Sequence, residues 1–261
     1  FQFGMVSAGL ADLEGSIVEK AFGMNAETLP TTADNTDIYR TMYRTLFGIE
    51  AEDVADSKLG FGSTGDDEID VAVDATLDGA ADLAFTGSGS DLIDLSSSVF
   101  GENRAYAGSD SDELFASSRD RLFGGAGNDI LDLTLSEGDN RAYGGDGDDD
   151  FFNGNDDRLV GGEGSDRFFL GEESGDSVIT GGEGADQFWI ANAGVPMEAN
   201  TITDFISGED VLGVAGIGAT FDTLDISQDG DNALIGFGGD DLAVLLNVDS
   251  TTLANSDFVF V

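Results

Sequence analysis

The stretch Gly124–Trp189 carries one nine-residue phrase four times: GGAGNDILD from Gly124, GGDGDDDFF from Gly144, GGEGSDRFF from Gly161 and GGEGADQFW from Gly181. The shared form is G-G-x-G-x-D-x-U-x, where U is a large apolar residue. Glycines at the first, second and fourth places predict a backbone that turns through positive φ and brings its carbonyls inward. The sixth-place aspartate puts a carboxylate at the end of that turn, and Leu131, Phe151, Phe168 or Phe188 at the eighth place opens a short strand aimed at a core. Turns of this kind stacked on one another make an all-oxygen cage, which suits a hard cation such as Ca²⁺. A flexible acidic linker would share the composition, but it has no reason to hold a large apolar residue at every eighth place.

The phrase resembles the nonapeptide repeat of the RTX family, secreted bacterial proteins whose repeats form a parallel β-roll with calcium between successive turns. The resemblance implies metal sites built from Gly124, Gly125, Gly127 and Asp129; Gly144, Gly145, Gly147 and Asp149; Gly161, Gly162, Gly164 and Asp166; and Gly181, Gly182, Gly184 and Asp186. Worn copies precede them, GSTGDDEID from Gly62, TGSGSDLID from Thr86 and AGSDSDELF from Ala107, adding Asp67, Asp91 and Asp112. After Trp189, ITDFISGED resembles the I-x-D-F-x-x-G-x-D stretch that ends many such rolls, so Asp204 and Asp210, with Glu209 beside them, are expected to close a last site.

From Asp112 to Asp186 the sixth-place aspartates lie 17, 20, 17 and 20 residues apart, about two nonapeptides each. The missing half of each turn is a second, degenerate phrase nine residues upstream, marked by Asp82, Asn103, Asp120, Asn140, Asp157 and Ser177, with Ala84, Ala105, Leu122, Ala142, Leu159 and Ile179 at the apolar place. One turn of coil is therefore read as two strands, with a Gly-rich loop on one edge and a worn loop on the other. Asp82, Asp120, Asn140 and Asp157 form a weaker second edge, expected to bind fewer ions or none; this departs from the regular family pattern, in which both edges can be loaded. NRAY recurs at Asn103 and Asn140, and DRL at Asp120 and Asp157, so a two-turn block of 37 residues has been duplicated. The longer turns place extra residues near Ser136-Glu137-Gly138 and Glu172-Glu173-Ser174, expected as protruding acidic loops.

The 261 residues carry 53 acidic and 10 basic side chains, a formal charge of −43. A compact chain of that charge repels itself unless cations neutralise it. With 40% hydrophobic residues and 19 Phe it is too apolar for simple disorder, so counter-cations are expected. Nucleic acid and anionic membrane surfaces are poor partners at this charge. No apolar run reaches the length of a membrane span. Without cysteine there is neither a disulfide framework nor a thiolate zinc site, and without histidine, cysteine or a G-x-S-x-G elbow the repeat has no nucleophilic machinery. Paired carboxylates such as Asp148-Asp149-Asp150 evoke glycoside chemistry, but in the repeat they are spent on metal.

Three domains are expected. Residues 1–57 form a helical cap or the end of an upstream domain, from an apolar stripe at Leu10, Leu13, Ile17 and Phe22 and a stronger one at Ile38, Met42, Leu46 and Phe47. Arg40 and Arg44, one helical turn apart, fit a solvated surface better than an anion site. Residues 58–190 form the roll. Residues 191–261 form an antiparallel C-terminal cap of three or four strands (LDIS, NALIGF, LAVLLNV and DFVFV), in which the terminal DFVFV resembles the uncleaved signal of type I exported proteins. The first residue, Phe1, points to a longer precursor, in which a catalytic domain could lie upstream. The fold class is thus mostly β, a parallel β-roll. The function expected is a calcium-binding module that folds outside the cell and directs export of a larger protein through a type I ABC exporter. The alternative is an S-layer or adhesin segment whose loaded roll self-associates or grips a cell-surface ligand.

Overall fold

Alternation turns the repeat into strand. Along Arg158–Glu163 the residues are exposed, buried, half-buried and buried in turn, so Leu159 faces inward while Arg158 and Val160 face out. A computed structural model describes residues 58–73, 77, 79–172 and 174–261. The two helices expected within 1–57 lie outside the described residues.

Two sheets alternate along the chain. The first holds β1 (Leu59–Phe61), β3 (Leu83–Ser88), β5 (Arg104–Ser109), β7 (Arg121–Ala126), β9 (Arg141–Asp146), β11 (Arg158–Glu163), β13 (Val178–Glu183) and β15 (Asn200–Ile202). The second holds β2 (Glu68–Asp70), β4 (Leu92–Asp94), β6 (Glu113–Phe115), β8 (Ile130–Asp132), β10 (Asp150–Phe152), β12 (Arg167–Gly171), β14 (Gln187–Asn192) and β16 (Val211–Ala215). All neighbours within these two rows pair in parallel, and register follows the repeat: Leu131 stands against Phe151, Phe151 against Phe168, and Leu159 against Ile179. The result is a coil in which each turn contributes one strand to each sheet, over eight turns.

The inward side chains form one continuous core. Leu114, Leu131, Phe151, Phe168 and Phe188 from the second sheet, and Ala105, Leu122, Ala142, Leu159 and Ile179 from the first, are fully buried. Phe151, Phe168 and Phe188 stack face to face with ring centroids 4.7 and 5.2 Å apart.

Beyond β16 the pattern changes. β17 (Asp225–Asp229), β18 (Asn232–Phe237) and β19 (Asp240–Leu245) form an antiparallel group, joined to the first sheet because β19 pairs in parallel with β15. The last strand, β20 (Phe258–Phe260), differs from its expected place in that cap: it pairs in parallel with β16 and ends the second sheet. Phe258 is buried in the core that the roll and the hairpin share. The long turns also differ from expectation. Gly138 is buried and bridges Ser118, and Ser174 is buried; in the first of these turns Thr134 and Leu135 are exposed together with Glu137.

The core stack gives a direct test. Phe168→Ala should lower stability by about 3–5 kcal/mol, as a large buried cavity with two lost ring faces requires. Phe152→Ala, on the half-buried outer face, should cost clearly less; urea unfolding of both variants in saturating calcium makes the comparison, and equal losses would refute the assignment of inner and outer faces.

Candidate metal centre

The glycines work in two ways. Those at the second and fourth places adopt positive φ, for example Gly145 at 124° and Gly147 at 130°, as expected. The main-chain carbonyl oxygens of Gly125 and Gly127, one turn back, stand where side chains on Gly145 and Gly147 would project. First-place glycines differ from expectation: Gly124, Gly144, Gly161 and Gly181 do not take positive φ. They are glycines because the Oδ2 of the aspartate in their own repeat (Asp129, Asp149, Asp166 and Asp186 respectively) occupies the space of a Cβ. The Gly144 carbonyl oxygen lies 2.8 Å from that same point at Gly124, so a carboxylate oxygen and a carbonyl oxygen of the next turn converge there.

The sixth-place aspartates form one column. Each Oδ1 accepts a hydrogen bond from the backbone N–H of the aspartate one turn before, at 2.8–3.0 Å, from Asp67 through Asp91, Asp112, Asp129, Asp149, Asp166 and Asp186 to Asp210. The second oxygens have no such use. Oδ2 of Asp91, Asp112, Asp129, Asp149 and Asp166 is buried without any hydrogen-bond partner. A buried carboxylate oxygen without a donor is strongly unfavourable. Here five recur in file, one per turn.

Electrostatics agree. Burial, with repulsion from neighbouring carboxylates behind it, pushes the Asp149 carboxyl up to about 8 and those of Asp112 and Asp166 to about 7. Burial lifts Asp129 and Asp186 to about 6, and raises Asp210. The column therefore wants either a proton or a cation.

At its ends the column is satisfied by the protein itself. Asp67 Oδ2 accepts from the Ser63 amide, and Asp210 Oδ2 from the Ile206 amide. Asp204 accepts from the amides of Gly181 and Gly182, taking the place that another Gly-rich turn would hold. Asp257, read from sequence only as part of a terminal signal, lies outside this ladder, since the Asp210 amide donates to the Ile206 carbonyl; it accepts from the Gly208 amide, the Ser207 hydroxyl and the Ala254 amide.

The worn edge repeats the ladder with a different outcome. Asp82, Asn103, Asp120, Asn140, Asp157, Ser177 and Asn200 succeed one another, each backbone N–H donating to the side chain of the next. The free oxygens find protein donors: Asp82 Oδ2 accepts from the Gly79 amide, Asp120 Oδ2 from the Ser117 amide and hydroxyl, and Asp157 Oδ2 from the Gly154 amide. Asn103 and Asn140 donate side-chain N–H groups to Asp120 and Asp157. Burial still raises Asp120, and lifts Asp157 to about 6, but their oxygens are not orphaned. Sequence reading saw this asymmetry as lost glycines; the serine at 117 that completes the clasp at Asp120 carried no signal of its own.

The donor set fits calcium. Among the described residues no three acidic side chains gather at one point. One carboxylate per turn must therefore be joined by main-chain carbonyls, the mixed oxygen shell that Ca²⁺ accepts and softer metals do not. No helix among the described residues is long and apolar enough to cross a membrane.

Residues 106–135, 153–172 and 173–189 match the family model of the RTX calcium-binding nonapeptide repeat (4 copies). Solved structures with similarity include an extracellular lipase of Serratia marcescens, at 17% identity and a TM-score of 0.29 over 78% of this chain and 40% of that one. The AlgE6R2 subunit of the Azotobacter vinelandii mannuronan C5-epimerase matches at 20% identity and a TM-score of 0.26, over 79% of this chain and 94% of that one. The AlgE6R3 subunit of the same epimerase gives 20% and 0.24, over 76% and 80%. No curated protein matches the chain. The roll thus carries calcium-binding RTX repeats, and the chain spans less than half of the lipase.

The raised carboxyls set a sign for pH. A carboxyl whose folded pKa lies above its unfolded value stabilises the metal-free roll below about pH 4, and that contribution is lost as pH rises toward the folded value. With chelator present, β-sheet circular dichroism should grow as pH falls from 8 through 6, the span of the Asp149, Asp166 and Asp129 values. With saturating calcium it should be flat over the same span. A metal-free roll that gains order as pH rises would contradict the geometry.

Proposed function

We propose that this chain, whose repeats are RTX calcium-binding nonapeptides, is a calcium-triggered folding module of a secreted protein, with the metal held along the Gly-rich edge only. The observation that carries this reading is the file of five orphaned Oδ2 atoms from Asp91 to Asp166. Without a cation, neighbouring carboxylates in the column repel by about 1–4 kcal/mol per pair at surface-like dielectric. Each buried oxygen also forfeits its hydration. Binding energy of calcium then becomes folding energy, because the unfolded chain holds no preformed cage.

Asp91, Asp112, Asp129, Asp149 and Asp166, with the Gly-rich turns beside them, are the ligands we assign, and the clasped residues Asp82, Asp120, Asn140 and Asp157 are left without metal. Asp204 and Asp210 serve the end of the column, where amides already occupy their oxygens. A calcium-poor cytosol would keep such a module open for passage through a type I exporter, and millimolar calcium outside would close it. The terminal strand fits that order of events: folding withdraws Phe258 into the core and pairs β20 with β16, leaving Val259 and Val261 exposed. Any catalytic activity belongs to residues outside this roll.

Far-UV circular dichroism during a calcium titration, with magnesium as control, tests the reading. A cooperative gain of β signal between about 0.1 and a few millimolar calcium is expected, and none with magnesium. Asp149→Ala should move the midpoint to higher calcium several-fold, whereas Asp120→Asn, on the clasped edge, should leave it nearly unchanged. A chain already folded in chelator at neutral pH would overturn the proposal.

A further inference from the structure

The outer face of the first sheet carries a row of arginines beside a row of rings. In β5, β7, β9 and β11 burial alternates, with Ala105, Leu122, Ala142 and Leu159 turned inward. The residues on either side of each buried one therefore share the outer face. One outward row is Arg104, Arg121, Arg141 and Arg158, in register strand by strand. The other, roughly 6.6 Å further along the strands, is Tyr106, Phe123, Tyr143 and Val160 in the same register. Adjacent strands lie about 4.8 Å apart, so the arginine row spans about 14 Å with one positive charge per turn of coil. Four of the ten basic residues of a −43 chain stand in that row. The ion pairs among the described residues are Arg119–Glu102 and Arg167–Asp150, so none of the four is paired there. Asp139 and Asp156, two residues before Arg141 and Arg158, sit at an exposed corner in left-handed conformation and form no ion pair with the row. Like charges opposite one another on neighbouring strands destabilise a sheet. The row is therefore unfavourable for the roll alone and is relieved by anions from outside. The rings sharpen that preference. Tyr106, Phe123 and Tyr143 stack with centroids 4.6 and 5.0 Å apart and planes within 4°. Stacking uses their faces and leaves ring edges to meet a partner, and the edge is the electropositive part of an aromatic ring.

We infer that this face binds a linear polysaccharide carrying one carboxylate per sugar ring, laid across the strands along the axis of the coil. The row calls for anions on a straight line at one per strand spacing. An extended acidic polysaccharide advances one ring, and so one carboxylate, over a comparable distance. Each guanidinium offers a planar fork that matches a carboxylate. A nucleic acid fits less well: B-DNA carries one phosphate per about 1.7 Å of axis, more charge than four arginines offset on a chain this acidic. The row stops at Leu83 on one side and Val178 on the other, so the site has four steps. A single exposed ion pair contributes little, and affinity rests on engaging the four together. The inference goes beyond calcium-driven folding and requires only that the roll be folded.

Isothermal titration calorimetry of the calcium-loaded full chain with tetragalacturonate tests it, with circular dichroism of each sample reporting the fold separately. The tetramer should bind with a dissociation constant below about 1 mM, and about tenfold tighter than digalacturonate. Salt near 1 M, where screening falls to roughly 3 Å, should abolish binding, and the methyl-esterified tetramer should not bind. Arg121→Ala and Arg141→Ala should each weaken binding about two- to fivefold, and together about tenfold. Arg167→Ala, on the second sheet, should leave it unchanged. A folded wild-type chain that ignores the tetramer at about 1 mM would overturn the inference, as would equal affinity for the esterified sugar. Full affinity in the Arg121→Ala/Arg141→Ala double variant would also overturn it, placing the sugar on bound calcium instead. Tighter binding of a short single-stranded DNA would overturn it in favour of a phosphate polymer, and an arginine-dependent protein dimer without sugar in favour of a second copy. Loss of β signal in wild type would instead count against calcium folding, and the salt and ester comparisons on the wild-type chain do not depend on any variant.

Discussion

A carboxylate buried with one oxygen bonded and the other bare is the constraint on which the rest of this molecule depends. The fold obliges it: Oδ1 of each column aspartate holds the amide of the turn before, which locks successive turns together. That bond turns Oδ2 inward over the first-place glycine, where no donor reaches. Stacking and charge are thus inseparable. Whatever neutralises Oδ2 also permits the stack, and a cation does so at neutral pH where a proton cannot serve the whole column.

The second edge shows how the same ladder is built without that demand. The oxygens that would be bare there take the Ser117 amide and hydroxyl at Asp120 and the Gly79 and Gly154 amides at Asp82 and Asp157, while asparagines at 103 and 140 add donors to the other oxygens of Asp120 and Asp157. The two edges share backbone geometry and differ in side-chain hydrogen-bond inventory. One edge is internally complete; the other is complete only with an ion. The C-terminal end of the column follows the first solution, since amides hold the oxygens of Asp204 and Asp210.

Most of this was legible in the sequence, for a physical reason. The nine-residue period ties an apolar side chain, a carboxylate and three glycines to fixed places, so Phe151, Phe168 and Phe188 declared the core and Asp129, Asp149 and Asp166 the column. Two strands per turn followed from arithmetic on the 17- and 20-residue intervals. What escaped was set by pairing across turns. That Phe123 stacks on Tyr143, or that Arg121 stands beside Arg141, depends on register between strands 20 residues apart. The terminal strand was assigned to the wrong partner because FVF alternates equally well in a hairpin or as the last rung of a roll. First-place glycines looked like turn formers, when in fact a neighbouring carboxylate excludes their side chains.

The most direct test of this account is the anomalous scattering of a crystal grown in calcium, recorded at a wavelength where the ion's signal can be separated from the protein. The account predicts a single file of peaks beside the Gly-rich turns, each adjacent to an orphaned Oδ2 between Asp91 and Asp166, and none beside Asp120 or Asp157. Peaks along both edges, or an ordered roll with no peak beside Asp149, would contradict it.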